Sequence, residues 1–418
     1  MVCGGRGRLK QSRWYSLLYI ALMFMTLLGS GVTNAQATMA ENILRAVSWN
    51  PDGSLLAVGG IIDSNPRILI FDSNGRVQLQ LGTEINVVSL AWNRDSSRLG
   101  GYMGNDQYEI WDVTNGKLLH TVSQPGPTVD YSVYWHPSLP QFATVDGKQV
   151  YIRDENTGAI IETITPSNIS PIQKIDWSPE GLLVIGGGDI KPSIEIWDVS
   201  SKNKLKQISL GEAKYLATMA MSSDGQFLAT GHEDGLVQVW NVNTAKQVTT
   251  LQSGSSEIVE FIEWHPNNEY LTTIGTNRNI STWRISTGET VSKIQLSTPT
   301  YLYGADLSPY GGRIAYLTKI SELSSRPLSL AEPPFVQSFV DDMLQITVPV
   351  SSIEALETLT SECIETSSDR EAVAHLAIPS QVGTELNDFV SELEDLPTGT
   401  IAPGCVSDLL ALASALQP

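Results

Sequence analysis

Chemistry in this 418-residue chain would have to come from a small set of side chains. The five histidines, His120, His136, His232, His265 and His375, are scattered, and none stands in the His-Glu-x-x-His spacing that turns two ring nitrogens toward one metal. His136 and His265 each precede a proline in one shared register, which predicts a turn role rather than metal ligation. Asp176, Glu263 and Asp306 also share a register, each preceding a large apolar residue, and together could gather a cation. Ser48, Ala91, Tyr134 and Ala220 hold that register elsewhere, so the expected use of the three carboxylates is to satisfy buried backbone. There is no Gly-x-Ser-x-Gly, no Gly-rich phosphate loop and no Cys-x-x-Cys. The expectation is therefore no catalytic, cofactor-binding or metal-binding residue, and no enzyme activity.

Positioning falls to a repeat. Trp49, Trp92, Trp135, Trp177 and Trp264 form one row, with gaps of 43, 43, 42 and 87, the last being two periods with Met221 on the missing rung. Trp111, Trp197, Trp240 and Trp283 form a second row, spaced 86, 43 and 43. A period near 43 marks a supersecondary unit that buries its faces only against its neighbours. The clearest unit runs Ile175-Asp176-Trp177-Ser178-Pro179-Glu180-Gly181, then a run to Gly187, then Ile194-Glu195-Ile196-Trp197-Asp198, then a run to Ile208. Short apolar runs rich in Val, Ile and Trp, separated by turn residues, predict four antiparallel strands per unit. Such small two-faced sheets are covered by stacking them radially.

The Trp-Asp pairs Trp111-Asp112 and Trp197-Asp198, the variants Phe71-Asp72, Trp240-Asn241 and Trp283-Arg284, and the Ser/Asn-Pro-x-Gly turns resemble the WD40 propeller family over residues 41–319. The resemblance implies an all-β, seven-bladed WD40-like β-propeller, or six blades plus a partial one, whose loop faces bind protein. The seventh repeat begins at Asp306-Leu307-Ser308-Pro309 and stops after its second strand. The Gly-His pair that usually precedes the first strand is missing from its slots, Gly231-His232 lying in a later turn instead. Blade packing is accordingly expected to lean on apolar contacts.

Residues 1–37 have a basic start, an apolar run over 14–28 and small residues ending in Ala35-Gln36-Ala37, the pattern of an export signal. It predicts a secreted or extracytoplasmic protein, the alternative being a single-pass N-terminal membrane anchor. With residues 38–320 as propeller, residues 321–334 are a Ser/Pro-rich linker and residues 335–418 a small, mainly helical domain. Cys363 and Cys405 both fall in that tail and are expected to form a disulfide. A net charge of −19 argues against nucleic acid as a partner. The reading is an exported, non-enzymatic scaffold for a protein partner, with Tyr102, Tyr131, Tyr215, Tyr301 and Tyr303 as the candidate interaction surface. A hydrolase-type propeller enzyme and a membrane-tethered ligand sensor are the alternatives.

Overall fold

The computed structural model describes residues 43–318 except 73–74, 127–129, 190, 254–256, 277–278 and 296–301, and then 344–347, 356, 359–360, 363, 384–394, 396 and 401–416. The export signal, the linker and Tyr301 lie outside the described residues. The unit containing everything described begins at Glu41.

Six four-stranded antiparallel sheets follow one another in sequence as blades 1 to 6, spanning 43–82, 89–123, 134–164, 172–209, 216–252 and 259–295. A seventh sheet has three strands: Leu302–Leu307, Ile314–Thr318 and Leu344–Thr347. Seven complete blades are thus not formed; the structure has six blades and a partial one. After Thr318 the chain carries no Trp-bearing strand, and Leu344–Thr347 pairs with Ile314–Thr318 in its place.

Each blade starts with a strand ending at the first Trp row, and a tight turn follows. The fourth residue of that turn is left-handed whether it is Gly53, Ser96, Gly181, Gly225, Asn268 or Gly311, so the turn geometry outlasts the glycine. The turn's first residue caps it from its side chain: Asn50 Oδ1 accepts from Leu55 N (2.8 Å), Asn93 Oδ1 from Arg98 N (2.9 Å) and Ser222 Oγ from Phe227 N (2.9 Å). The family's Asp sits in the third hairpin for the same reason. Asp112, Asp154 and Asp198 accept from Thr114, Thr157 and Ser200, bonds that hold their carboxyls below the usual range.

The core lies between blades. Ile68, Ile70 and Leu81 of blade 1 pack with Trp92, Leu99 and Trp111 of blade 2, and Val145, Val150 and Ile152 of blade 3 with Ile175, Trp177 and Leu183 of blade 4. The ring closes in the same manner, Trp49, Leu56 and Val58 packing with Ala315 and Leu317. In the tail, α1 (Thr384–Glu394) and α2 (Pro403–Leu416) share a cluster of Leu386, Phe389, Leu409 and Leu412. Cys363 and Cys405 are bonded within it, their Cα atoms 5.9 Å apart.

Candidate interaction surface

Strands alternate in direction, so the turns between second and third strands and the links between blades emerge at one end of the ring, which we call the channel face. The turns within the first and third hairpins emerge at the other. Which face can act depends on what holds the seams between blades.

Four seams use an indole. Trp92 Nε1 donates to Ser48 O (3.0 Å), Trp135 Nε1 to Ala91 O (2.9 Å), Trp177 Nε1 to Tyr134 O (3.1 Å) and Trp264 Nε1 to Ala220 O (3.0 Å). The other three use the three carboxylates. Asp176 Oδ2 accepts from Met221 N (2.9 Å), Glu263 Oε2 from Leu307 N (3.1 Å) and Asp306 Oδ2 from Trp49 N (2.6 Å). An acid therefore stands before the seam wherever the next rung is not a Trp, and once where it is. That exception leaves Trp49 Nε1 buried without a partner among the described residues, under the Arg313 guanidinium 4.4 Å from the ring.

These acids lie half-buried in the first strands of their sheets, Ile172–Trp177, Val259–Trp264 and Leu302–Leu307. Burial raises Asp176 to about 6 and Asp306 to about 7. Glu263 is pushed well above the carboxylate range by burial and then by Asp306 and Asp176. Among the described residues no group of three or more His, Cys, Asp or Glu side chains is arranged to hold a metal.

Three of the described histidines are structural as well. His136 Nδ1 accepts from Ser138 N (3.1 Å) and Leu139 N (3.0 Å), while His265 is buried against Thr272 Oγ1 (2.9 Å) with its pKa down to about 4. His232 bonds Lys214 O and Thr230, whose hydroxyl also receives Trp240 Nε1; Trp283 Nε1 likewise donates to Thr273 Oγ1 (2.9 Å). Blades 5 and 6 thus keep a buried polar network that the misplaced Gly-His had put in doubt. Arg153, which replaces the second-row Trp of blade 3, donates to Thr144 Oγ1, Gly158 O and Ser123 O. It seals blade 3 to blade 2 and is not a site.

At the closing seam the tail takes part. Asp408 of α2, fully buried, receives the Ser308 hydroxyl, Arg313 Nε and, at 3.2 Å, Gly312 N. A Cβ on Gly404 would lie 2.1 Å from Asp52 O and one on Gly53 would lie 3.1 Å from Gly404 Cα, so two backbones touch where α2 meets the first turn of blade 1. A separate cavity of about 510 Å³ opens between blades 3 and 4 at the opposite end, beside Leu139, Ile161, Leu182 and Glu180.

What remains exposed on the channel face is aromatic. Tyr131 and Tyr215 are 46% and 42% exposed, on the links before blades 3 and 5. Tyr102 is 4% exposed, packed between the tilted rings of Tyr108 (5.1 Å) and Tyr131 (4.9 Å), so it braces the surface and is not an anchor. Tyr303 lies in the strand Leu302–Leu307. Beneath Tyr131, Asp130 is buried and takes Tyr134 Oη at 2.5 Å and Lys174 Nζ at 3.2 Å. Burial raises the Tyr215 hydroxyl, and the negative charges of Glu233, Asp189 and Asp130 push it the same way.

Comparison with known proteins agrees with this architecture. A family described as eukaryotic translation initiation factor eIF2A matches residues 99–233. The mouse intraflagellar transport protein 80 homolog is 27% identical over 174 residues, 41% of this chain and 21% of that protein. The COMPASS component SWD3 of Saccharomyces cerevisiae is 26% identical over 160 residues, 36% of this chain and 49% of its own. The fission-yeast WD repeat-containing protein slp1 is 22% identical over 188 residues, 44% of this chain and 37% of its own. The chain is a WD40-type β-propeller. A chain from a crystal structure of the mitotic checkpoint complex superposes with a TM-score of 0.56 at 19% identity, covering 69% of this propeller chain and 93% of its own. The matched stretches span between a fifth and a half of these sequence relatives.

One expectation is overturned here. The secreted or extracytoplasmic location read from the amino terminus does not fit relatives named for intraflagellar transport, transcriptional corepression and the cell-division cycle, activities that take place inside cells. A basic-apolar-small pattern in one sequence is short enough to arise without an export role. Among the described residues no helix is long and apolar enough to cross a membrane.

Proposed function

We propose that this WD40-type propeller is a non-enzymatic scaffold that binds a partner protein on its channel face, around Tyr131 and Tyr215. The observation that carries the reading is the pairing of exposed aromatics at this face with the commitment of the other chemically able groups to holding the ring. Two tyrosines over 40% exposed, with Tyr102 packed behind Tyr131, form a pre-braced apolar surface with a polar edge, the chemistry that interface anchors use. The scaffold has six full blades and a partial, three-stranded sheet that ends in the strand Leu344–Thr347. WD-repeat relatives in intraflagellar transport and COMPASS support protein binding as the general role.

The test is site-specific photo-crosslinking, with p-benzoylphenylalanine at position 131 or 215 and, as a control, at Leu205 on an outer strand, 54% exposed. The expected result is a discrete adduct from 131 and 215 that is absent from 205 and lost when the unsubstituted tyrosine of the pair becomes alanine. Equal labelling from all three positions would refute the assignment.

A further inference from the structure

The cavity of about 510 Å³ between blades 3 and 4 lies at the end of the ring away from the channel face. Leu139 and Ile161 line it at 47% and 50% exposure, and Leu182 and Val199 extend the apolar lining. A bulge puts Ile161 there. Where Val150–Asp154 pairs with Ile160–Ile164, Ile152 faces Glu162 and Arg153 faces Ile160, so Ile161 is the extra residue, pushed out of the ladder. That strand is also the edge of its sheet, with no strand on its outer side.

The polar feature is His136, 6% exposed and part of the cavity lining. Its Nδ1 accepts from Ser138 N and Leu139 N, so the ring proton sits on Nε2. Burial, and then Arg94, disfavour a second proton. Nε2 has no partner among the described residues and lies against Gly181, where an added Cβ would come within 2.7 Å. His265, in the same register of blade 6, shows what is missing: its Nε2 meets Thr272 Oγ1 at 2.9 Å, whereas Ala143 holds that position in blade 3. One buried N–H is thus left to the cavity, where it calls for an acceptor. The charged lining residues are Glu162, Glu180 and Asp198, with no Lys or Arg among the described lining. Lys202 reaches Glu162 at 2.7 Å, and Arg94 is engaged by Glu155 at 3.3 Å. An anionic acceptor is therefore disfavoured and a neutral carbonyl favoured.

We propose that this cavity is a second docking site, which takes a short uncharged peptide segment of a partner protein. A leucine or phenylalanine side chain of the segment enters between Leu139 and Ile161, and a backbone carbonyl accepts from His136 Nε2. A peptide fits better than a free small molecule because the edge strand Ile160–Ile164 offers unpaired backbone groups beside the apolar pocket, and an extended chain is read by its backbone and its alternate side chains together. The site is independent of the channel-face reading.

A phage-displayed peptide library selected on the full chain, with clones that also bind the Ile161→Asp variant discarded, tests it. Enriched peptides are expected to share a large apolar position, and synthetic copies to lose roughly tenfold in affinity with His136→Asn. Asn holds that position in blades 1 and 2, so the turn keeps a side-chain acceptor while the ring donor goes. Gly181→Ser should weaken them as well by crowding Nε2, and the left-handed Ser96 shows that this turn accepts a side chain. Leu205→Asp, at the corresponding bulge of blade 4, and Tyr131→Ala should leave affinity unchanged; circular dichroism checks that each variant folds. Affinity unmoved by His136→Asn overturns the carbonyl contact and with it the peptide assignment. No enrichment overturns the docking site. Saturation transfer from 1-hexanol with no peptide enriched would mark a cavity for small apolar molecules, and a dimer in sedimentation that Ile161→Asp dissolves would make a second copy of the chain the occupant; either result overturns the proposal.

Discussion

The four indole seams and the three carboxylate seams solve one problem with opposite chemistry. In the first, the incoming blade brings the donor, an indole N–H on a large apolar body, and the outgoing blade offers only a backbone carbonyl. In the second, the outgoing blade brings the acceptor, a carboxylate, and the incoming blade offers only a backbone N–H. The indole seam therefore joins its hydrogen bond to a large apolar burial, while the carboxylate seam separates the two and places an ionisable group where ionisation is penalised. A repeat protein can lose its signature residue from a rung when a neighbour supplies the missing bond from the other side.

Truncation should break the comparison most visibly. Trp177→Ala removes a 7%-exposed side chain and the bond to Tyr134 O, and is expected to destabilise by about 3–5 kcal/mol. Asp176→Ala removes an acceptor but also relieves a desolvated carboxyl, and is expected to cost about 1–2 kcal/mol. Urea unfolding midpoints of the two variants measure this directly; equal shifts would erase the distinction between the seams.

The closing seam sharpens it, because a carboxylate clasp and a partial blade there lean on the tail. Asp408→Asn strands the buried Arg313 guanidinium and is expected to cost about 3 kcal/mol. The amides of Gly312 and Arg313 should then exchange faster than those of Phe227 in the corresponding turn of blade 5. Replacing both partners with apolar residues, Arg313→Met with Asp408→Leu, should recover much of the loss. If hydrogen exchange at 312 and 313 is unchanged in Asp408→Asn, α2 is an appendage and not a latch.

Much of this was legible in the sequence and part was not, for physical reasons. The Trp rows encode the inter-blade core, so their spacing alone placed the strands and paired each rung with the next. Backbone satisfaction was the expected use of Asp176, Glu263 and Asp306, and the register shows why: Met221 and Leu307 lack an N–H beyond the backbone's own. His136 was readable as a turn residue because proline follows it. Arg153 was not readable as structure. A lone Arg on an apolar rung looks like a site, and only the fold brings Thr144, Gly158 and Ser123 around it. Tyr102 misled in the converse way, since residues near a strand end are exposed or buried according to a neighbouring loop, here the one carrying Tyr131. The join between Asp408 and Arg313 spans 95 residues, and no local pattern announces it.

A smaller effect separates the seams by pH. Asp176 and Asp306 titrate near 6 and 7 in the folded chain and near 4 when unfolded, so over that window the folded state keeps protons that the unfolded state has released. Their contribution is complete below about pH 4 and is lost as pH rises through 6 to 7. The buried His265 slopes the other way, its lowered pKa withdrawing stability as pH falls from about 6.5 toward 4. The prediction is therefore a difference: stability of Asp176→Asn plus Asp306→Asn relative to the parent should rise between pH 4.5 and 7.5 by on the order of 2 kcal/mol, their partial exposure tempering the full shift. Trp135→Phe, at an indole seam, should give a difference that does not move with pH. A flat difference for the carboxylate variants would mean that both acids ionise as freely in the folded seams as in the unfolded chain.

The finest test converts one seam into the other. Met221→Trp restores the missing rung, and its indole should reach the carbonyl of residue 176 as Trp264 reaches that of Ala220. In the parent, the Met221 N–H is already clasped by Asp176, so the added indole meets an occupied, acid-lined seam and should be close to neutral or mildly destabilising. In an Asp176→Ala background the same change should recover part of what was lost, giving a favourable coupling of about 1 kcal/mol in a double-mutant cycle. Coupling of that sign means the two chemistries are alternatives for one seam; additivity means that the absence of Trp at 221 and the presence of Asp at 176 are unrelated, and the exception at Trp49 and Asp306 would then be the rule.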